Sequence, residues 1–324
     1  MRRFWHPVAL SSDVRPGRVR AARALGEAFV LYRSASGNAH ALEAGCAHRC
    51  TTLAVGTVEG ENLRCLYHGW MYDETGQCIE QPAEPKPFAE KIKIRSFPAR
   101  EYLGLIFCFF GEDEAPPLPR YAALERQGVV SASGYVRNCN FFQNIDNHCD
   151  PVHVNFTHRL SLHPAMTSAG VSGETPEVRA EETEYGMALH TRYPDGRTST
   201  NRVIMPNAVE FALPPNLPGE EDWSHSVAWR VPIDDEHHFS CRAEFRQLND
   251  DGKAALEGQI ERRRGEDASG AQSRRRTMLA QILEGDATLA DFAGIIDSED
   301  LVYLEDSLSQ EGQGRIVDRS REHL

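Results

Sequence analysis

The sequence predicts an α+β chain in two parts, a small all-β domain over residues 1–115 and a mixed α and β domain with an antiparallel sheet over residues 116–324. Three observations carry that reading. From residue 19 to about residue 110 the chain runs in short alternating or apolar segments cut by turns at Ser36-Gly37-Asn38, Glu59-Gly60 and Asp73-Glu74-Thr75-Gly76, the punctuation of short strands. Residues 111–121 are acidic and carry Pro116, Pro117 and Pro119, which marks a linker. Beyond it the composition turns mixed, and residues 198–213 and 226–246 read as long strands joined through polar turns.

Composition bounds the function classes. At 324 residues the chain can bury two cores. Its longest apolar stretch, residues 103–110, is interrupted by Gly104 and reads as a buried strand, far short of a membrane span. A net charge of −13 argues against a nucleic-acid footprint. The start, Met1-Arg2-Arg3-Phe4-Trp5-His6, is followed by no apolar segment, so no secretory signal is expected.

The chemistry begins at Cys46-Ala47-His48, followed after 16 residues by Cys65-Leu66-Tyr67-His68. Two Cys–His pairs can seat a 2Fe-2S cluster with thiolates on one iron and imidazoles on the other; neutral imidazoles remove negative charge and raise the potential. Zinc also accepts two Cys and two His, but it favours Cys-x2-Cys pairs, whereas each pair here is mixed. The remaining cysteines, 50, 78, 108, 139, 149 and 241, have no framework spacing and read as free thiols, Cys50 included, which points to a cytoplasmic protein.

In the second part His148, His153, His158 and His163 recur every five residues. Five residues turn a helix by about 500°, so successive members diverge by about 140° and one straight helix cannot aim all four at one metal. Only His153 has a carboxylate three residues before it, Asp150, able to take the second ring N–H of a ligating imidazole. That selects His153 and, five residues on, His158. An isolated His-x4-His is more often a scatter of surface histidines.

The motifs Cys46-x-His48, Cys65-x-x-His68-Gly69-Trp70 and Asp150-x-x-His153-x4-His158 together resemble the catalytic α subunit of Rieske non-heme iron oxygenases, in the phthalate-dioxygenase-like branch. The resemblance implies a small all-β Rieske 2Fe-2S domain and a helix-grip catalytic domain whose curved antiparallel sheet encloses a mostly apolar cavity. It also implies mononuclear Fe(II) on a facial triad of two His and one carboxylate. The family's carboxylate is an Asp followed five residues later by Glu, which matches Asp300 and Glu305, with Asp297 as runner-up and Glu299 behind it. Asp150 is implied to bridge His68 of one protomer to His153 of the next, within a head-to-tail homotrimer. Family relatives usually continue past the segment matching residues 318–324, so a shortened final helix is expected.

The implied activity is hydroxylation or oxidative demethylation of a small, aromatic substrate with O2, fed by a separate NAD(P)H-dependent reductase with or without a ferredoxin. Ring cis-dihydroxylation is the alternative. No Gly-x-Gly-x-x-Gly follows a strand, so the nicotinamide is expected to be used elsewhere. A Rieske electron carrier, the alternative of a different class, would leave two thirds of the chain without purpose. His237 and His238 read as solvated turn residues, and residues 265–273, between Arg262-Arg263-Arg264 and Arg274-Arg275-Arg276, as a mobile loop.

Overall fold

The computed structural model describes residues 1–161, 175–268 and 270–323; His163 lies outside them. The first part is built from strands β1 (Trp5–Leu10), β2 (Val19–Ala24), β3 (Glu27–Arg33), β4 (Ala39–Glu43), β5 (Thr57–Glu59), β6 (Asn62–Arg64), β7 (Met71–Tyr72), β8 (Cys78–Glu80), β9 (Ser96–Phe97), β10 (Ala99–Tyr102) and β11 (Leu105–Phe109). They form three small antiparallel sheets, ordered β2-β3-β4-β9, β5-β6-β7-β8 and β1-β11-β10. The apolar stretch at 103–110 is indeed a strand, every residue of β11 being buried.

A seven-stranded antiparallel sheet dominates the second part: β12 (Val129–Arg137), β13 (Glu177–Thr183), β14 (Gly186–Arg192), β15 (Thr198–Ile204), β16 (Ala208–Leu213), β17 (Ser224–Pro232) and β18 (His238–Arg246), in the order β12-β18-β17-β16-β15-β14-β13. The two long runs expected from sequence are β15–β16 and β17–β18. Period-two alternation gives the sheet two unlike faces. On one, Val227, Trp229, Cys241, Ala243 and Phe245 join a core that also holds Trp5, Leu105 and Phe107, so a single apolar body spans both parts of the chain. Trp229 sits edge-on to Phe107 and Tyr121, each at 5.5 Å. Such pairs add roughly 0.5–1.5 kcal/mol beyond area burial.

The opposite face differs from the apolar cavity wall that the resemblance implies. In register across β12, β18 and β17 lie Arg137, His238 and Pro232, then Tyr135, Ser240 and Arg230. Arg137, His238, Ser240 and Arg230 are all buried. This polar face is covered by helix α1 (Phe141–Cys149), whose Asn144 bonds to both His238 and Arg230.

After α1 the chain breaks. Pro151 lacks an N–H and pushes the residue before it into extended backbone; Asp150 accordingly has φ −106 and ψ 99, and a one-turn helix, α2 (Val154–Thr157), follows. The rest is helical: α3 (Asp250–Ala268), α4 (Ala271–Glu284), α5 (Leu289–Phe292) and α6 (Ser298–Glu311). The expected loop at 265–273 is therefore corrected, its described residues belonging to α3, to Gly270 and to α4. Gly270, at φ 86, makes the break between the helices. Helix α6 is capped by Asp297, whose side chain accepts from Asp300 N at 2.8 Å, and it buries Leu301, Leu304, Glu305 and Ser307. Among the described residues no helix is long and apolar enough to cross a membrane.

Candidate functional site

Two loops bring Cys46, His48, Cys65 and His68 together, and they are closed in the same way. In the first, Cys46 N–H donates to Thr51 O (2.9 Å) and Cys50 N–H to Cys46 O (2.8 Å); in the second, Cys65 N–H donates to Trp70 O (2.8 Å) and Gly69 N–H to Cys65 O (3.2 Å). Cys50 and Gly69 occupy equivalent left-handed positions, at φ 56 and 75. A Cβ on Gly69 would come 2.8 Å from Pro82 Cγ, which explains the glycine there. Cys50 is exposed and free.

Both cysteines are buried, and the two histidine rings lie 4.4 Å apart at a steep angle. His48 stacks on Trp70 at 4.8 Å, nearly parallel, while its buried Nδ1 has no hydrogen-bond partner among the described residues. Burial pushes the Cys46 thiol up, against a lowering hydrogen bond from Tyr72, so a thiolate there calls for a compensating cation. Tyr72 Oη accepts from Ala47 N–H (3.0 Å) and lies 3.2 Å from Cys46 Sγ. Desolvation raises the Tyr72 hydroxyl, which stays protonated and donates to the sulfur. An orphaned imidazole nitrogen beside buried sulfurs is what a 2Fe-2S cluster with mixed ligands requires.

The second cluster of donors is His153, His158 and Asp306, with one ligand atom from each lying within 4.8 Å of the others. The short turn after Pro151 solves the angular problem of a straight helix: His153 stands at the N-cap of α2 and His158 at its C-cap, with rings 5.4 Å apart. Each imidazole is tied at Nδ1, leaving Nε2 for a metal. His153 Nδ1 bonds to the Asp150 carbonyl, and His158 Nδ1 lies 3.0 Å from Glu305 Oε2, which also accepts from the Ser161 hydroxyl. His158 Nε2 faces Asp306 Oδ1 at 3.4 Å.

Electrostatics fit a cation at this point. Burial lowers the pKa of His158, but Asp306 and Glu305 outweigh it and raise the group to about 9. Burial raises Asp306, yet His158 and Arg137 hold it down to about 2. Desolvation lowers His153. A carboxylate held ionised beside one neutral imidazole and one that attracts positive charge is the donor set of a 2-His-1-carboxylate site.

The third residue corrects the sequence expectation. Asp300 pairs with the Arg275 guanidinium on α4, one and a half turns before the triad, and Asp297 is the α6 cap. Glu299 borders a small pocket beside Arg246 and Leu256, also away from the histidines. The Asp-x4-Glu spacing occurs twice, at Asp300–Glu305 and at Asp306–Glu311, and only the second puts its Asp against His158. Glu305 instead holds the imidazole, and Glu311 accepts from Asn138 N–H at 3.2 Å. The repeated spacing was the available signal for Asp306.

Asp150 meets His153 through its backbone. Its carbonyl orients His153, while its exposed carboxylate accepts from Val152 N–H at 2.8 Å. His238, expected in solvent, is fully buried: Nδ1–H donates to Cys139 O (2.8 Å), Nε2 accepts from Asn144 Nδ2 (3.0 Å), and burial holds it neutral with a pKa of about 3. His237 stays partly exposed, beside Asp234.

Residues 4–98 match the family model of the Rieske [2Fe-2S] domain. The phenoxybenzoate dioxygenase α subunit of Ectopseudomonas oleovorans is 34% identical over 260 residues, covering 74% of this chain and 62% of the relative. The 5,5'-dehydrodivanillate O-demethylase oxygenase subunit of a Sphingobium species is 32% identical over 284 residues, 80% of this chain and 62% of the relative. The chain belongs to the Rieske oxygenase family. It spans about three fifths of the length of these curated relatives. Among solved structures, NdmA of Pseudomonas putida CBB5 with caffeine superposes with a TM-score of 0.72 at 20% identity, covering all of this chain and 86% of NdmA, so the Rieske oxygenase fold extends through the seven-stranded sheet.

Proposed function

We propose that this chain is the terminal component of a Rieske oxygenase, which uses O2 and electrons from a separate NAD(P)H-dependent reductase, with or without a ferredoxin, to hydroxylate or oxidatively demethylate a small aromatic compound. The observation that carries the reading is the presence in one chain of both donor sets, Cys46/His48/Cys65/His68 and His153/His158/Asp306. When bound, a cluster at the first supplies single electrons and an iron at the second supplies the open positions where O2 is reduced. The protein's own residues do the positioning. The Asp150 carbonyl and Glu305 fix the imidazole tautomers, Ser161 holds Glu305, and Tyr72 donates to the Cys46 sulfur.

The exposed Asp150 carboxylate and the partly exposed His68 support electron transfer between neighbouring protomers of a homotrimer, Asp150 bridging His68 of one to His153 of the next. The demethylase name of one relative favours demethylation, and the dioxygenase name of the other favours ring dihydroxylation as a second reading. The test is electron paramagnetic resonance of the dithionite-reduced protein together with oxygen uptake over a panel of aromatic acids, methyl ethers and N-methyl compounds. A Rieske signal and substrate-dependent uptake are expected; zinc at either site, or a cluster with no uptake across the panel, would overturn the reading.

A further inference from the structure

We propose that Glu84 is a positioning and tuning residue for the cluster site: its carboxylate faces the outer nitrogen of His48 and lowers the potential at which a cluster there takes up an electron. The inference rests on the assignment of Cys46, His48, Cys65 and His68 as cluster ligands, and it adds what sets the driving force for passing the electron on.

The two nitrogens of His48 meet different surroundings. Nδ1 is buried with no hydrogen-bond partner among the described residues, so it is the nitrogen left for a metal. A neutral imidazole bound there keeps its proton on the other nitrogen. That nitrogen, Nε2, lies 3.9 Å from Glu84 Oε1, and the two side chains are only 22% and 24% exposed. Two other carboxylates of the same domain, Glu59 and Glu80, are paired with Arg64, whereas no lysine or arginine pairs with Glu84 among the described residues. His68 has no such neighbour in its own chain: its ring meets His48 at 4.4 Å and Tyr67 at 3.8 Å.

A tight turn sets Glu84 in place. Its N–H donates to Gln81 O at 3.1 Å, closing Gln81-Pro82-Ala83-Glu84. Pro82 lies against the second cluster loop, where a Cβ on Gly69 would come 2.8 Å from its Cγ. Arg64 ties Glu80, just before the turn, to the Gly69 carbonyl at 2.7 and 2.8 Å. On the other side of the turn, Gln81 Oε1 accepts from Phe88 N–H at 2.7 Å, and the Phe88 ring stands edge-on to Trp70, on which His48 stacks. The carboxylate therefore stands on a segment braced against the ligand loops. Reduction adds a negative charge to the cluster, and replacing two thiolates by imidazoles makes that addition easier. A carboxylate beside one imidazole makes it harder again, because it raises the basicity of the ligand and repels the incoming charge.

The test is direct electrochemistry of the cluster-loaded protein at one fixed pH, in about 0.05 M and about 1 M salt. Glu84→Gln should shift the reduction equilibrium about threefold to tenfold toward the reduced cluster, a tenfold shift being about 59 mV for one electron. Glu84→Lys, which changes the charge by two, should move it further the same way, and Glu84→Asp, which keeps the charge, should stay nearer the unsubstituted protein. High salt should narrow the gap between Glu84→Gln and the unsubstituted protein, since a partly exposed charge is screened and a packing change is not. A potential that does not rise in Glu84→Gln, equal shifts in Glu84→Gln and Glu84→Asp, or a gap unaltered by salt would overturn the proposal. So would folded Glu84→Gln and Glu84→Asp proteins that both fail to take up a cluster, which would make Glu84 an assembly residue. Iron and acid-labile sulfide in the unsubstituted protein decide the ligand assignment separately.

Discussion

The two donor sets are assembled on opposite principles. The cluster loops are local: each supplies a Cys and a His within four residues, and each closes on itself through two backbone hydrogen bonds before it meets the other. The triad is long-range, pairing histidines on a broken helix with an Asp on α6 nearly 150 residues later and holding His158 through Glu305 from that same helix. A local site survives loosening of its surroundings, whereas a long-range one depends on the packing of α1, α2 and α6. Perturbations should therefore separate the two.

Acid should strain the second part of the chain through His238. The folded pKa of His238, about 3, lies below its unfolded value near 6.5, so the folded state is favoured above pH 6.5 and loses ground as the unfolded chain takes up the proton below it. The expected loss is roughly 1.4 kcal/mol per pH unit, or about 3 kcal/mol at pH 4.5. Urea unfolding at pH 7 and 4.5 measures it, and His238→Gln should flatten the dependence by that amount. An unchanged slope would show that the histidine is not held neutral.

Glu305→Gln comes next. Removing the carboxylate that orients His158 should weaken iron binding by about 10–100-fold, read by chelator competition, with the cluster spectrum unaltered. Tyr72→Phe is the mirror perturbation: the iron should stay, while loss of one hydrogen bond to the Cys46 sulfur lowers the cluster potential. A bond worth about 1 kcal/mol corresponds to about 40 mV for one electron. Direct electrochemistry on the purified protein reads the shift.

The same contrast explains what was legible in the sequence. The gathering of donors close together in the chain, Cys46 to His68, was legible from spacing, and so was that of His153 and His158, which Asp150 singled out. Asp306 could not, because Asp-x4-Glu recurs six residues apart and only the way α6 meets α2 decides between the copies. The strand runs were visible, but the polarity of one sheet face was not; Arg137 and Arg230 look like solvent-facing members of an alternating strand until a helix covers them. His238 was misjudged for the same reason, since it follows a polar turn yet lies beneath Asn144. Residues 265–273 suggested a loop, but a helix-interior Gly such as Gly265 costs only about 1 kcal/mol and the surrounding Ala, Glu, Gln and Arg residues favour the helix, so that the break is confined to the residues around Gly270.

Asp300→Ala should do least. Its partly buried pair with Arg275 is worth at most about 1 kcal/mol of stability, and urea unfolding should show no more. Set beside Asp306→Ala, it gives the most direct test of the triad. Iron and acid-labile sulfide should amount to about three irons and two sulfides per chain in the unsubstituted protein and in Asp300→Ala, and about two of each in Asp306→Ala. Loss of the extra iron from Asp300→Ala, with its retention in Asp306→Ala, would contradict the assignment.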